Sequence, residues 1–359
     1  MRLAAVLLVL VALTACTQNS PTPTPSPTSP SQTPAADLLT HFDLLLGEQV
    51  VIVAKESAAA VNHTDDYVAY TALLSANSAD LTTLISRAFG DTAAAQFAEL
   101  WNVQNGYLVD YGIAVVTHND GKANDAIGGL NTTFVPNFAR LLSTLSQLPV
   151  DPVMQLATQQ VQDDKACIDD FFSSKFDAFY PDLHRAYAHT SLLGELLSSQ
   201  IATDFPDKFP GDPTSDAANR RAKLNLALQE QSYLVTMASN ATLNQHEAER
   251  SAALGALATN NTSIQAVVDD NRFPLAWQQE AASLVVYATN GDPSARRTAS
   301  DTLVTELAAI TKASRAVISN HEAAATKVVD DQRGKSKSVA DDDRAAATSM
   351  EPIADSVQG

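Results

Sequence analysis

Residues 97–111 read Phe-Ala-Glu-Leu-Trp-Asn-Val-Gln-Asn-Gly-Tyr-Leu-Val-Asp-Tyr, and residues 273–287 read Phe-Pro-Leu-Ala-Trp-Gln-Gln-Glu-Ala-Ala-Ser-Leu-Val-Val-Tyr. Phe97, Trp101, Leu108, Val109 and Tyr111 recur as Phe273, Trp277, Leu284, Val285 and Tyr287, each 176 positions on. The two stretches hold both tryptophans of the chain. Large apolar residues stepping by four and three line one side of an α-helix, so each stretch reads as a helix with one buried face. A helix that returns at a constant shift points to an internal duplication.

The neighbouring stretches repeat in the same order. Leu45-Leu46-Gly47-Glu48-Gln49 matches Ala227-Leu228-Gln229-Glu230-Gln231, and Ala76-Asn77-Ser78 with Leu81 matches Thr259-Asn260-Asn261 with Ile264. Each copy reads as four helices. In the first copy, Leu38, Phe42, Leu45, Leu46 and Val53 form the stripe of helix one, with Thr64 or Asp65 capping helix two and Asp91 capping helix three. Helix four runs through Ala126, Leu130, Phe134, Phe138, Leu141 and Leu145, with Pro136 kinking it and leaving the stripe on one face. Short connections favour antiparallel neighbours. The sequence therefore predicts an all-α chain with two repeated up-and-down four-helix bundles, residues 36–149 and 213–333. A linking helical pair, 150–212, joins them, with helices over 153–179 and 182–203 between Pro149/Pro152 and the Phe205–Gly211 segment. Whether that pair packs on the first bundle or bridges both is open at this point.

The ends read differently. Arg2 and the apolar run Leu3–Leu13 form a signal peptide, residues 1–15, too short to span a bilayer as a helix. Leu13-Thr14-Ala15-Cys16 resembles a bacterial lipobox, which makes Cys16 the lipidated first residue of the mature chain. Residues 16–35 alternate Pro with Ser and Thr and read as a disordered stalk. Residues 334–359 read as a disordered tail by composition. The expected location is the extracytoplasmic face of the cell membrane, with the bilayer as a partner through the lipid.

Loss of the signal peptide removes one Arg, leaving 22 basic against 41 acidic residues, a net charge of −19 with histidines neutral. Such a chain is repelled by nucleic acid, which is set aside as a partner. With Cys16 lipidated, Cys167 has no cysteine to pair with.

Four polar residues interrupt the stripes at matching places. Gln49 lies between Leu45 and Val53, and Gln231 between Ala227 and Val235; Gln104 follows Trp101 by three, and Glu280 follows Trp277 by three. A buried polar group without a partner costs roughly 1–3 kcal/mol. These four residues are therefore expected to meet each other, water or a ligand, with a hydrogen bond that fixes helix register as the simpler account.

The pattern resembles a family of tandem helical-bundle lipoproteins and secreted proteins of actinobacteria and similar bacteria. Its repeat reads Leu-Leu-x-Glu-His on helix one and Phe-x-x-Leu-Trp-x-x-His followed by Val-x-Tyr on helix three. The resemblance covers most of residues 38–320, including Phe205-Pro206-Asp207-Lys208-Phe209-Pro210-Gly211. It implies inward histidines suited to a metal site in ferritin-like style. This chain departs there: the histidine positions hold Gln49, Gln231, Gln104 and Glu280. Glutamine is a poor ligand for transition metals.

Catalytic motifs are missing. None of His41, His63, His118, His184, His189, His246 and His321 lies four residues from another or three after a Glu, and HExxH, GxSxG and GxGxxG do not occur. These histidines read as surface or loop residues, with His189 the one to watch. The sequence expectation is a non-enzymatic, lipid-anchored binding or interaction protein without a cofactor, its partner an envelope protein or a small ligand. The alternative is a degenerate ferritin-like metal-binding bundle, with Glu48, Glu230 and Glu280 as candidate ligands.

Overall fold

Two helices, α1 (Pro34–Val61) and α8 (Asp216–Leu243), are buried on nearly every side and lie against each other. The computed structural model describes residues 29–358, so the signal peptide, Cys16 and stalk residues 17–28 lie outside the described residues. Around α1 run α2 (Asp66–Phe89), α3 (Asp91–Val116), α4 (Asp120–Gly129), α5 (Val135–Ser146), α6 (Val150–Phe172) and α7 (Phe176–Asp204). Around α8 run α9 (Glu247–Val267), α10 (Arg272–Asn290), α11 (Pro293–Ile310), α12 (Arg315–Gly334), α13 (Val339–Thr348) and α14 (Glu351–Gln358). The described residues contain no strand.

The central position of α1 and α8 explains their composition. A single apolar stripe serves a helix with one solvent face. In α1 the run Gly47–Ser57 is buried without interruption, polar residues included, and α8 is buried the same way from Leu224 to Ser239. Small and polar side chains let these two helices pack on several neighbours at once.

The linking pair bridges the halves. α7 runs along α1 and also packs on α9. One apolar cluster draws Val50 and Ala54 from α1, Phe179 and Leu183 from α7, Leu234 and Ala238 from α8, Leu284 from α10 and Val328 from α12. The core is thus shared across the middle of the molecule. The break between α6 and α7 falls at Ser173–Lys175, where Ser174 takes a left-handed φ of 54°, and Pro181 lies inside α7. The break thus lies earlier than the 180–181 boundary implied by helices over 153–179 and 182–203.

Helix four of the first copy is α4 and α5 joined by a π-helical turn, Leu130–Phe134, just before Pro136. The wider turn, in which Val135 N–H donates to the Leu130 carbonyl, makes room for the ring of Pro136, which has no amide hydrogen to donate, and inserts one residue into the register. Leu142 and Ser146 are therefore buried, and Leu141 and Leu145 are only half-buried. At the start of α3, Gly90 occupies the cap position with φ 86°, and Asp91 is the first helical residue, accepting a hydrogen bond from Ser86.

Both ends of the body correct the sequence expectation. Ser31 and Ala35 of the expected stalk are buried, and the Ser31 carbonyl accepts a hydrogen bond from Arg221. The expected disordered tail folds into α13 and α14. Asp343, Ile353 and Ala354 there are fully buried, as is Met350 between the two helices. The composition of this tail is polar and alanine-rich, yet Val339, Ala340, Asp343, Ala346, Ala347 and Met350 recur at helical spacing.

Equivalent hydrogen bonds mark the two halves. Asn77 Nδ2 donates to the Leu45 carbonyl at 2.9 Å, and Asn260 Nδ2 to the Ala227 carbonyl at 2.8 Å. The Tyr111 hydroxyl donates to Asp169 at 2.5 Å, and the Tyr287 hydroxyl to Asp330 at 2.6 Å. Lys165 and Arg333 lie over those two tyrosine rings. The second pair ties α3 to α6 and α10 to α12, so the likeness extends one helix beyond the four read from sequence. Since 330 − 169 = 161, α6 residues correspond to α12 residues 161 positions on.

Candidate functional site

Gln49, Gln104, Gln231 and Glu280 are all buried. Gln49 does not bond Gln104, and Gln231 does not bond Glu280; each glutamine of helix one instead meets a neighbouring group on helix three. Gln49 Nε2 donates to Asn105 Oδ1 at 3.3 Å, one residue beyond Gln104, and Asn105 Nδ2 donates to Ser78 Oγ at 2.8 Å. Gln231 Nε2 reaches the Trp277 carbonyl at 3.5 Å, and its oxygen accepts from Asn260 Nδ2 at 3.1 Å. These bonds fix the register of α1 and α8 against their neighbours. Gln104 Oε1 is buried without a partner.

Glu48 and Glu230 are not at a three-ligand centre. Glu48 accepts from Asn77 Nδ2 and the Tyr233 hydroxyl, both at 2.8 Å, and pairs with Arg344 at 2.9 Å. Glu230 pairs with His184 Nδ1 at 2.8 Å. Burial raises Glu230 above the ordinary carboxylate range and His184 opposes the rise, whereas the hydrogen bond to Glu230 raises His184. His189 is one-third exposed and bonds Asp163 at 2.6 Å. Among the described residues, neither Glu48 nor Glu230 belongs to a group of three converging ligand atoms.

Glu280 is different. It projects from the buried face of α10, three residues after Trp277 and four before Leu284. There it meets His321 and Glu322 from α12, and the ligand atoms of the three side chains lie within 4.8 Å of one another. On α12, Ile318, His321, Glu322, Ala325, Val328 and Val329 form the buried stripe. His321, read from sequence as a surface or loop histidine, is fully buried. Its spacing from Ile318 and Val328 is the signal that places it inside, obscured by the alanines between.

His321 Nε2 lies 3.5 Å from Glu280 Oε1, and Arg296 Nη2 from α11 lies 2.8 Å from Glu322 Oε2. Arg296 also donates to Thr326 Oγ1 at 3.0 Å and Ser283 Oγ at 3.1 Å, so the guanidinium is held at the edge of the cluster. Ser349 Oγ donates to the Ala346 carbonyl at 2.6 Å, which leaves the Ser349 oxygen to accept from His321 Nδ1 at 2.9 Å. The same ring nitrogen lies 3.2 Å from the Ala346 carbonyl. Nδ1 therefore carries a hydrogen, and Nε2 is the atom turned into the cluster.

His321 Nε2, Glu280 Oε2 and Glu322 Oε1 are buried without a hydrogen bond, while Arg296 Nη2 and Glu322 Oε2 have only their ion pair with each other. Burial lowers His321, but Glu280, Glu322 and the Ala346 carbonyl outweigh it and leave the ring above its ordinary value. Burial and the neighbouring Glu280 hold Glu322 above the ordinary carboxylate range, against the pull of Arg296 and His321. Two carboxylates face one guanidinium, so the cluster calls for positive charge beside Nε2, supplied by a proton or by a cation.

The first half lacks this set. Gln104 stands where Glu280 does, and the shift of 161 puts Gln160 and Val161 opposite His321 and Glu322. Gln160 donates to Asp164, and Asp164 replaces Ala325 on the stripe. Cys167 is buried and unpaired, and burial raises its thiol well above the ordinary value.

No protein-family model, no curated protein and no solved structure matches this chain.

Proposed function

We propose that this chain is a non-catalytic, lipid-anchored binding protein of the cell envelope, whose ligand site is the Glu280–His321–Glu322 centre in its second half. The observation that carries the reading is the convergence of buried ligand atoms that lack hydrogen-bond partners. A native fold keeps few such atoms, and a cluster of them calls for a particular explanation. The chain is read as a duplicated helical bundle of two four-helix units, akin to the tandem-bundle lipoproteins it resembles. The paired asparagine and tyrosine bonds support that duplication. The anchor rests on the Leu13–Cys16 lipobox. No described helix is long and apolar enough to cross a membrane.

Two measurements test this reading. Native mass spectrometry of the full chain extracted from membranes is expected to show a bound non-protein mass that a Glu280→Gln/Glu322→Gln variant loses. Protein of bare chain-plus-lipid mass would count against a ligand site. For the anchor, Cys16→Ser is expected to release the protein into the soluble fraction, and unchanged membrane retention would refute lipidation there.

A further inference from the structure

We propose that the ligand of this centre is a single divalent first-row transition-metal ion, held by Glu280, His321 Nε2 and Glu322, with no counterpart in the first half. The inference rests on the binding reading above and names the class of ligand.

The donor set comes first. Two carboxylates and one imidazole suit Fe(II), Mn(II) or Zn(II), and the lack of a thiolate or thioether in the group disfavours Cu(I). The geometry comes next. An ion about 2.1 Å from each ligand atom leaves the atoms roughly 3–4 Å from one another. The three atoms within 4.8 Å of one another need only small side-chain movements to reach that arrangement. At 3.5 Å, Nε2 and Glu280 Oε1 are too far apart for a well-formed hydrogen bond. A single proton there would also leave Glu280 Oε2 without a donor. An ion in the middle serves Nε2 and both carboxylates at once.

The surroundings fit as well. A histidine that binds metal through one ring nitrogen usually donates the other N–H to a carbonyl, hydroxyl or carboxylate, which fixes the ring. His321 Nδ1 does so to Ser349 Oγ and the Ala346 carbonyl in the last turn of α13. Arg296 takes Glu322 Oε2, leaving Oε1 for the ion. A fourth position is open to water or to the second oxygen of a carboxylate. The ligands are almost wholly buried, so the ion enters as the chain folds or as α13 lifts away, and its exchange is slow.

The first half supplies the control. Gln104, Gln160 and Val161 occupy the corresponding places, and the helices around them pack. The triple variant Glu280→Gln/His321→Gln/Glu322→Val therefore gives the second centre a residue set that this architecture already carries once.

Metal content of the full chain purified from membranes without chelator is measured by inductively coupled plasma mass spectrometry. Chain stripped by chelator in denaturant and refolded is then melted with and without ZnCl2, MnCl2 and anaerobic ferrous sulfate. About one ion per chain is expected, with a rise in Tm for at least one of the three ions. The triple variant and the milder Glu280→Gln are expected to lose the ion and that rise while keeping the helical circular dichroism of the parent. An organic adduct lost in the variants, with no metal and no rise in Tm, would overturn the metal assignment and leave the binding reading standing. Neither metal nor any other adduct would overturn both. Metal retained by a folded triple variant would place it elsewhere and refute this centre.

Discussion

Asp164 shows how strongly burial acts on a single side chain here. It is fully buried with one oxygen unpartnered, and desolvation, reinforced by Asp163, raises its carboxyl to about 7 against the help of Gln160. A carboxyl raised in the folded state binds protons there that the unfolded chain has released. Its cost is therefore absent below about pH 4, grows as pH rises toward 7 and is complete above that. Asp164→Asn keeps the hydrogen bond from Gln160 and removes the charge. It is expected to stabilise the chain at pH 8 by on the order of 1–3 kcal/mol and by nearly nothing at pH 4, as read from urea unfolding at both values. Equal gains at the two values would show that Asp164 ionises freely.

Lys55 carries a second prediction at the same scale. It is buried, pairs with Asp343, donates to Thr236 Oγ1 at 2.7 Å and lies over the Tyr70 and Tyr233 rings. Burial lowers its pKa and Asp343 opposes the change. Lys55→Met leaves Asp343 as an uncompensated buried charge and is expected to cost about 3–5 kcal/mol in urea unfolding. The double variant Lys55→Met/Asp343→Leu should recover most of that loss. The burial of Gln49, Gln104, Gln231 and Glu280 was legible from their places between large apolar residues. Their partners were not, because Asn105, Asn260 and His321 come from other helices, and a stripe says which side faces inward without saying what faces it.

Among the elements, α13 and α14 changed most from the sequence expectation. Only ten residues long, α13 gathers contacts from both halves: Asp343 receives bonds from Thr236 at 2.8 Å and Tyr70 at 3.0 Å, and Arg344 pairs with Glu48 and Asp80. In α14, Asp355 forms a two-bond pair with Arg221 at 2.7 and 2.8 Å. Deleting residues 335–359 strips Lys55 of its counter-ion and exposes the surfaces that Met350 and Ile353 cover. The truncated chain is expected to lose more than about 3 kcal/mol of stability in urea unfolding, whereas a disordered tail would leave stability unchanged. Helices with dense large apolar residues were legible: α3 and α10 bury the predicted Phe, Trp, Leu and Tyr positions. An alanine-rich helix such as α13 carries too little contrast between faces for composition to reveal it, and the π turn before Pro136 shifts register by one residue that no periodicity anticipates.

For the whole molecule, the two halves carry matching asparagine and tyrosine bonds and are joined through one core, shared by α1, α7 and α8. All-helical architecture was legible because it rests on regular spacing. The seam was not, since besides α1 and α8 it draws on α7 and on the expected tail, whose partners no periodicity names. Among the described residues, an imidazole converges with two carboxylates in the second half alone, which is why a single ion is proposed. X-ray absorption at the zinc edge, on the full chain refolded with one equivalent of zinc, tests that assignment most directly. The account predicts nitrogen and oxygen neighbours at about 2.0–2.2 Å, with scattering from a single imidazole that disappears in His321→Gln. A sulfur neighbour at about 2.3 Å, or an imidazole signal that survives the substitution, would contradict it.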